Sequence, residues 1–372
     1  MTIVDEQTLH PGAAAVRPQV RALRPYRLPA ASAYAGAPVR LHQNESGEDW
    51  PADVKEEIAR RLVAEPWNRY PGMRAAGVAA AIAELQGTPA EMVTPTAGSN
   101  EALRAAFAAF AAGGTVVMPV PTFSMAKTLA VLAGARVVEV PLAGEFALDT
   151  ASLLHAAHAT RAEVIYLANP NNPPGNRFPD HAVRQVIEGA PGIVLLDEAY
   201  WEFTSGSWLP VVERAPRLVL ARTFSKAMAA AGVRLGWLTA QPPVIAELAK
   251  VSPPYGLNVF AQIAAPVLVA HRHLAAARVR VVVAERERVA SGLRAMGAHV
   301  YPSETNFLLF EPPAPPAAVW EGLAAAGVLV RDVSGIPQLG ACLRVSIGTP
   351  EDNSRFLEAL AAVLAGGAGA RP

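Results

Sequence analysis

The sequence predicts an α/β protein: a mostly parallel sheet with helices on both faces, joined to a smaller α+β domain. Two observations carry this expectation. Short β-rich runs alternate with Ala/Leu-rich helical runs through the middle of the chain, and such alternation builds parallel sheets flanked by helices. Past residue 259 the alternation stops. A long stretch of helical period, "VFAQIAAPVLVAHRHLAAARVRVVVAERERVASGLRAMG" (259–297), follows with no strand until "HVYPS".

Taken in order, the first 25 residues show little periodicity and predict an arm. The strand candidates are "TVVM" (115–118), "RVVEV" (136–140), "EVIYLA" (163–168), "IVLLD" (193–197) and "RLVLAR" (217–222). Helical runs lie between them at 103–112, 124–135 and 180–190. The 259–297 stretch predicts a helix crossing from the sheet domain into the second domain, within which "EPPAPPAA" (311–318) reads as a loop. The expected division is 1–41 for the arm and part of the small domain, 42–265 for the large α/β domain and 266–372 for the small domain. No internal repeat is visible.

At 52% hydrophobic and 17% charged, the chain reads as soluble and globular. A net charge of zero without a basic run argues against nucleic acid or an anionic membrane as partner. "MTIVDEQTLHPG" lacks the pattern of a secretory signal. The longest uncharged run, 105–126, is broken by Gly113, Gly114, Pro119 and Pro121, which reads as helix end, turn and strand rather than a membrane span. The lone Cys342 excludes an internal disulfide, and the cytoplasm is the default compartment. His155 and His158 share helical spacing, but two ligands do not make a zinc site.

Three consecutive strand candidates end in unusual chemistry. "EVIYLA" runs into "NPNNPPG" (169–175), "IVLLD" ends in Asp197, and "RLVLAR" runs into Thr223, Ser225 and Lys226. Ligands of open α/β sheets bind beyond such carboxyl ends. Taken singly, Asp197 fits a helix cap, "NPNNPPG" a turn, and Lys226 or Arg234 a solvated cation. Lysine is scarce, however: Lys55, Lys127, Lys226 and Lys250 are the only ones, against 28 arginines. A lysine kept amid small and hydroxyl residues suggests work arginine cannot do, such as losing a proton and attacking a carbonyl.

These residues resemble the fold-type I aminotransferases that depend on pyridoxal 5′-phosphate (PLP), and within them the histidinol-phosphate aminotransferases. The resemblance runs from about Val16 to about Leu360. It is carried by "VRALRPY", "LHQNES", "NRYPG", "AGSNEAL", "PVPTFSM", "ANPNNPPG", "LLDEAYWEF", "RTFSKAMAAAGVRLGW", "SETNFLLF" and "CLRVSIGTPEDN" in that order. It implies PLP as cofactor and a fold-type I transferase fold. Lys226 is then the amine that condenses with the cofactor aldehyde and, once free, moves the substrate Cα proton. Asp197 would pair with the pyridinium nitrogen. Asn172 and Tyr200 would bond the ring 3-oxygen, and Phe123 would stack on the ring face. The phosphate would meet Gly98, Ser99 and Asn100 at a helix start, with Thr223, Ser225 and Arg234. Tyr70 of "NRYPG" would reach the phosphate of a neighbouring subunit, which implies a homodimer with a shared site. Arg344, Arg331, Tyr26 and Asn44 would bind substrate.

The implied reaction moves an amino group from L-histidinol phosphate to 2-oxoglutarate. Other amino donors, aromatic or specialised, and a threonine-phosphate decarboxylase chemistry fit the same residues. A sensor of this fold fused to a DNA-binding module does not, since about 25 arm residues cannot hold one. The chain departs from the family in Ser46-Gly47, where Asn-Pro is usual, in Pro174, where Thr is usual, and in Asn100, where Asp is usual.

Overall fold

The computed structural model of the chain describes residues 10–23, 25 and 39–367. β1 (Val39–Leu41) comes first in the chain but joins the second of two sheets. The first sheet is built from β2 (Val93–Thr96), β3 (Thr115–Val120), β4 (Arg136–Pro141), β5 (Val164–Ala168), β6 (Ile193–Asp197), β7 (Leu218–Thr223) and β8 (Gly236–Thr239). Its order is β2-β8-β7-β6-β5-β3-β4. β3 to β7 pair in parallel, whereas β8 runs antiparallel to both β7 and β2. β5 and β7 are buried along their whole length and β6 in all but its first residue, as covering both faces requires. Alternate residues feed two cores: Leu196 and Leu220 one, Leu195 and Val219 the other. The order reverses between β3 and β5, a switch point where ligands of doubly wound sheets bind.

The second sheet holds β9 (His299–Val300), β10 (Phe307–Glu311), β11 (Val328–Asp332) and β12 (Leu343–Ser346) with β1, in the order β1-β11-β12-β10-β9. Its core joins Phe310 and Val345 to Leu293, Phe356 and Leu360 from two long helices. The single crossing helix expected over 259–297 is in fact two, Val259–Ala270 and Arg272–Ala295, bent by 73°. His271 breaks the ladder, with φ −99° and ψ 19°. The bend serves two cores: Ala261 and Leu268 pack under the large sheet, while Val289 and Leu293 pack on the small one. Ala275 still packs with the core under the large sheet, so the second helix contributes to both cores. Among the described residues, no single helix is long and apolar enough to cross a membrane.

β2 and β8 escape the sequence reading because "VTPT" contains a proline and "GWLT" is short; each is a strand only through its neighbours. The arm shows two short helices, Pro11–Ala14 and Pro18–Arg21, and Arg17 donates from Nη2 to the Leu132 carbonyl at 2.9 Å.

Candidate active site

A cavity of about 500 Å³ opens beyond the carboxyl ends of β5, β6 and β7. Thirteen expected site residues line it: Asn44, Ser99, Asn100, Phe123, Asn172, Asp197, Tyr200, Thr223, Ser225, Lys226, Arg234, Arg331 and Arg344. Asp197 and Thr223 end strands of the large sheet, most of the others lie in the loops and the helix start around it, and the small sheet supplies the two arginines.

Asp197 ends β6 and is 5% exposed. Its Oδ2 accepts the Tyr166 hydroxyl at 3.0 Å and its Oδ1 the Ala199 N–H at 3.1 Å. Burial raises its pKa to about 6, with the neighbouring Glu198 pushing the same way. The bonds from Tyr166 and Ala199, and the Lys226 charge, pull it back. The Lys226 amine donates to the carbonyls of Asn44 at 2.9 Å and Gln43 at 3.2 Å. Burial lowers its pKa to about 8, helped by the Arg344 and Arg234 cations and opposed by Glu45 and Asp197. The Tyr200 hydroxyl accepts from the side-chain amides of Asn44 at 2.9 Å and Asn172 at 3.3 Å, and its ring meets Phe307 edge-on.

Arg344 donates from Nη1 to Asn172 Oδ1 at 2.6 Å and from Nη2 to the His42 carbonyl at 3.2 Å. Arg331 is its register partner across β11 and β12. Burial, then Arg331, Arg40 and Arg344, lowers the His42 pKa to about 4, so this imidazole adds no third positive charge near neutral pH.

A second cluster is built from donors. The helix Ser99–Phe110 starts at the cavity, and its first-turn N–H groups favour an anion. Ser225 N–H donates to Thr223 Oγ1 at 3.1 Å, and Arg234 Nη1 reaches the Ala231 carbonyl at 3.0 Å and Ser225 Oγ at 3.5 Å. Gly98, with φ +85° and ψ 167°, makes this cluster possible, since a Cβ there would lie 2.6 Å from Arg234 Nη2. Gly98→Ala should therefore cost about 1–3 kcal/mol of strain and turn the guanidinium aside. Titration of the apoprotein with PLP is expected to show affinity reduced at least about tenfold, the equivalent of 1.4 kcal/mol. Unchanged affinity would argue that Arg234 is not an anion contact.

Gly98 packs against Arg234 rather than lining the cavity itself, and Tyr70 does not line it either. Tyr70 is 80% exposed and stacks on Tyr255 at 4.6 Å, away from the cavity of its own chain. Tyr26 lies outside the described residues. The Ser46-Gly47 departure has a packing reason: a Cβ on Gly47 would lie 2.6 Å from the Thr349 backbone nitrogen and 2.8 Å from Gly348 C. The structure also adds residues that sequence reasoning missed. Tyr166 hid inside an apolar strand, and Gln43 acts through its carbonyl. Beneath the site, Glu198 and Arg222 form an ion pair, 1% and 0% exposed. Arg222 donates to Glu198 Oε2 from Nε at 2.9 Å and Nη2 at 2.7 Å, with its guanidinium 4.2 Å from the Trp201 ring centroid. Glu198 Oε1 accepts the Trp208 N–H at 2.7 Å.

The sequence pattern of aminotransferase class I and II matches residues 38–360. The chain belongs to that family. This aminotransferase is 39% identical over 328 residues to the histidinol-phosphate aminotransferase of Chlorobium chlorochromatii (strain CaD3), a match spanning 87% of this chain and 90% of that one. To the histidinol-phosphate aminotransferase of Methylibium petroleiphilum (strain ATCC BAA-1232 / LMG 22953 / PM1) it is 40% identical over 333 residues, 88% of this chain and 89% of the relative. Among solved structures, histidinol-phosphate aminotransferase from Sinorhizobium meliloti in complex with pyridoxal-5′-phosphate superposes with a TM-score of 0.85 at 25% identity, covering 95% of this chain and 98% of that one. The aminotransferase thus has the fold-type I PLP-dependent fold. L-threonine-O-3-phosphate decarboxylase from Porphyromonas gingivalis shares that fold, with a TM-score of 0.75 at 20% identity over 88% of this chain and 99% of that one. Fold alone therefore does not choose the chemistry.

Proposed function

We propose that this aminotransferase exchanges an amino group between L-histidinol phosphate and 2-oxoglutarate, giving imidazole acetol phosphate and L-glutamate, as a cytoplasmic homodimer. The observation that carries the substrate reading is the pairing of Arg331 with Arg344 across β11 and β12, both facing the cavity of Lys226 and Asp197. One pocket must hold a phosphomonoester in one half-reaction and a carboxylate in the other. Guanidinium forks fit either anion. The names of the relatives support the same reading.

Class I and II aminotransferases work with PLP, and the residues of the cavity fit it. A buried carboxylate suits a ring N–H, and a helix start with Arg234 and hydroxyls suits a phosphate. When bound, the cofactor supplies an electron sink for the carbanion left at the substrate Cα. Asp197 holds the proton on the ring nitrogen. Tyr200 and Asn172 orient the ring through its 3-oxygen, and Phe123 covers a face. Gly98, Ser99, Asn100, Thr223, Ser225 and Arg234 hold the phosphate. Lys226 would hold the cofactor through its aldehyde, and its amine, neutral when free, would be the base for the substrate Cα proton, a role suited by a pKa lowered to about 8. Arg344, Arg331 and Asn44 hold the substrate, with Tyr26 beside them.

The substrate test is a kcat/KM panel of histidinol phosphate, phenylalanine, tyrosine, aspartate and threonine phosphate. Histidinol phosphate should lead. A tenfold lead for an unphosphorylated donor would defeat the substrate reading and leave the aminotransferase standing.

The homodimer rests on Tyr70. Tyr70, Trp67 and Met73, close in sequence, are left 80%, 70% and 60% exposed, and apolar side chains so exposed invite a second copy. Mixing an inactive Lys226→Ala chain with an inactive Tyr70→Ala chain should recover activity, because one hybrid site keeps both residues. No recovery despite proven subunit exchange would rule out a shared site.

A further inference from the structure

We infer that Tyr166 is a positioning residue whose hydroxyl fixes the orientation and charge of the Asp197 carboxylate. The inference rests on Asp197 being the partner of the cofactor ring nitrogen. Tyr166 lies on β5 and has no exposed surface. Asp197 is the register partner of Ala168, two residues further along β5. Paired residues of neighbouring strands share a face, so Tyr166 is the diagonal neighbour of Asp197 on that face.

The ring belongs to an apolar core, 6.2 Å from the Phe107 centroid, where phenylalanine would fill the same space. A hydroxyl in such a core costs free energy unless it is bonded. Its partner is Asp197 Oδ2, at 3.0 Å. The carboxylate accounts for a tyrosine here in place of a phenylalanine. With Oδ2 held by Tyr166 and Oδ1 by the Ala199 N–H, the carboxylate is pinned at both oxygens, and the residue still faces the cavity.

Charge points the same way. The titratable groups that act on Asp197 are Tyr166, Glu198 and Lys226, and Tyr200 in turn acts on Tyr166. Burial and Glu198 favour the protonated acid, and among the opposing influences the Tyr166 bond is the largest. A protonated Asp197 could not hold a positive ring nitrogen.

The test is Tyr166→Phe, read first through the apoprotein. The pH below which PLP affinity is lost should move up by about one unit, as expected on removing a hydrogen bond to a charged group. In the holoenzyme, kcat should fall about tenfold while KM for the amino donor changes less than about twofold. In an Asp197→Asn background, Tyr166→Phe should change neither affinity nor kcat further. A lowered melting temperature with an unmoved pH profile would make Tyr166 a packing residue and overturn the inference. If Asp197→Asn itself left affinity and kcat intact, the Asp197 assignment would fall. A damaging Asp197→Asn beside a silent Tyr166→Phe would sink this inference alone.

Discussion

Lys226→Ala should lower kcat by at least about 10⁴-fold, because the change removes both the group that holds the cofactor aldehyde and the base for the substrate Cα. Borohydride reduction of the holoenzyme followed by peptide mapping should place the pyridoxyl group on Lys226. A label on Lys250, which instead pairs with Glu247 on the exposed face of a helix, would sink the assignment. The lowered pKa of about 8 adds a pH expectation. Lys226 in the apoprotein should react with aldehydes increasingly up to about pH 8 and level off above it, whereas a lysine at the ordinary value of 10.5 keeps gaining reactivity well beyond that. The sign for stability follows. The folded state binds fewer protons than the unfolded state between about pH 8 and the ordinary value of 10.5, so apoprotein stability should rise with pH across that window. Lys226→Met should flatten that rise.

Arg344→Ala should damage both half-reactions, not one. Each anion loses a charge-assisted bond, on the order of 1.5–3 kcal/mol, or roughly 10- to 150-fold in kcat/KM at 1.4 kcal/mol per factor of ten. The same change frees Asn172 Oδ1, now bonded by Arg344 at 2.6 Å, so part of the loss should appear in kcat through a less constrained Asn172. Arg331→Ala should hurt the phosphate donor at least as much as glutamate. Single-turnover spectra with each donor separate the two half-reactions. An Arg344→Ala enzyme impaired with histidinol phosphate alone would mean that the carboxylate binds elsewhere.

Much of this architecture is legible before any coordinates. The runs at 115–118, 136–140, 163–168, 193–197 and 217–222 all become strands. Those of β3, β5, β6 and β7 are mostly apolar because both faces are covered and they end at polar turns, whereas the edge strand β4 leaves Arg136 and Glu139 exposed. Asp197, Thr223 and Lys226 were visible for the same reason: each breaks an apolar pattern where a strand stops. Tyr166 was not, since tyrosine reads as core and its hydroxyl gains meaning only from β6 beside it. The 73° bend also stayed hidden. Residues 259–297 keep a helical period throughout, and only the presence of two cores decides where the helix turns. Arg331 and Arg344 stand 13 positions apart in sequence, and strand register makes them neighbours.

The Glu198–Arg222 pair has a consequence for how this chain can change over generations. Replacing both members with apolar residues that fill the space is often neutral or favourable, but removing one strands a buried charge at about 3–5 kcal/mol, a large part of the 5–15 kcal/mol that holds a typical domain folded. No single substitution reaches the apolar alternative without crossing that valley. The pair therefore acts as a ratchet: with both charges buried beneath the active site, the cost of either single replacement holds the chain to them, whether or not the charges improve the fold.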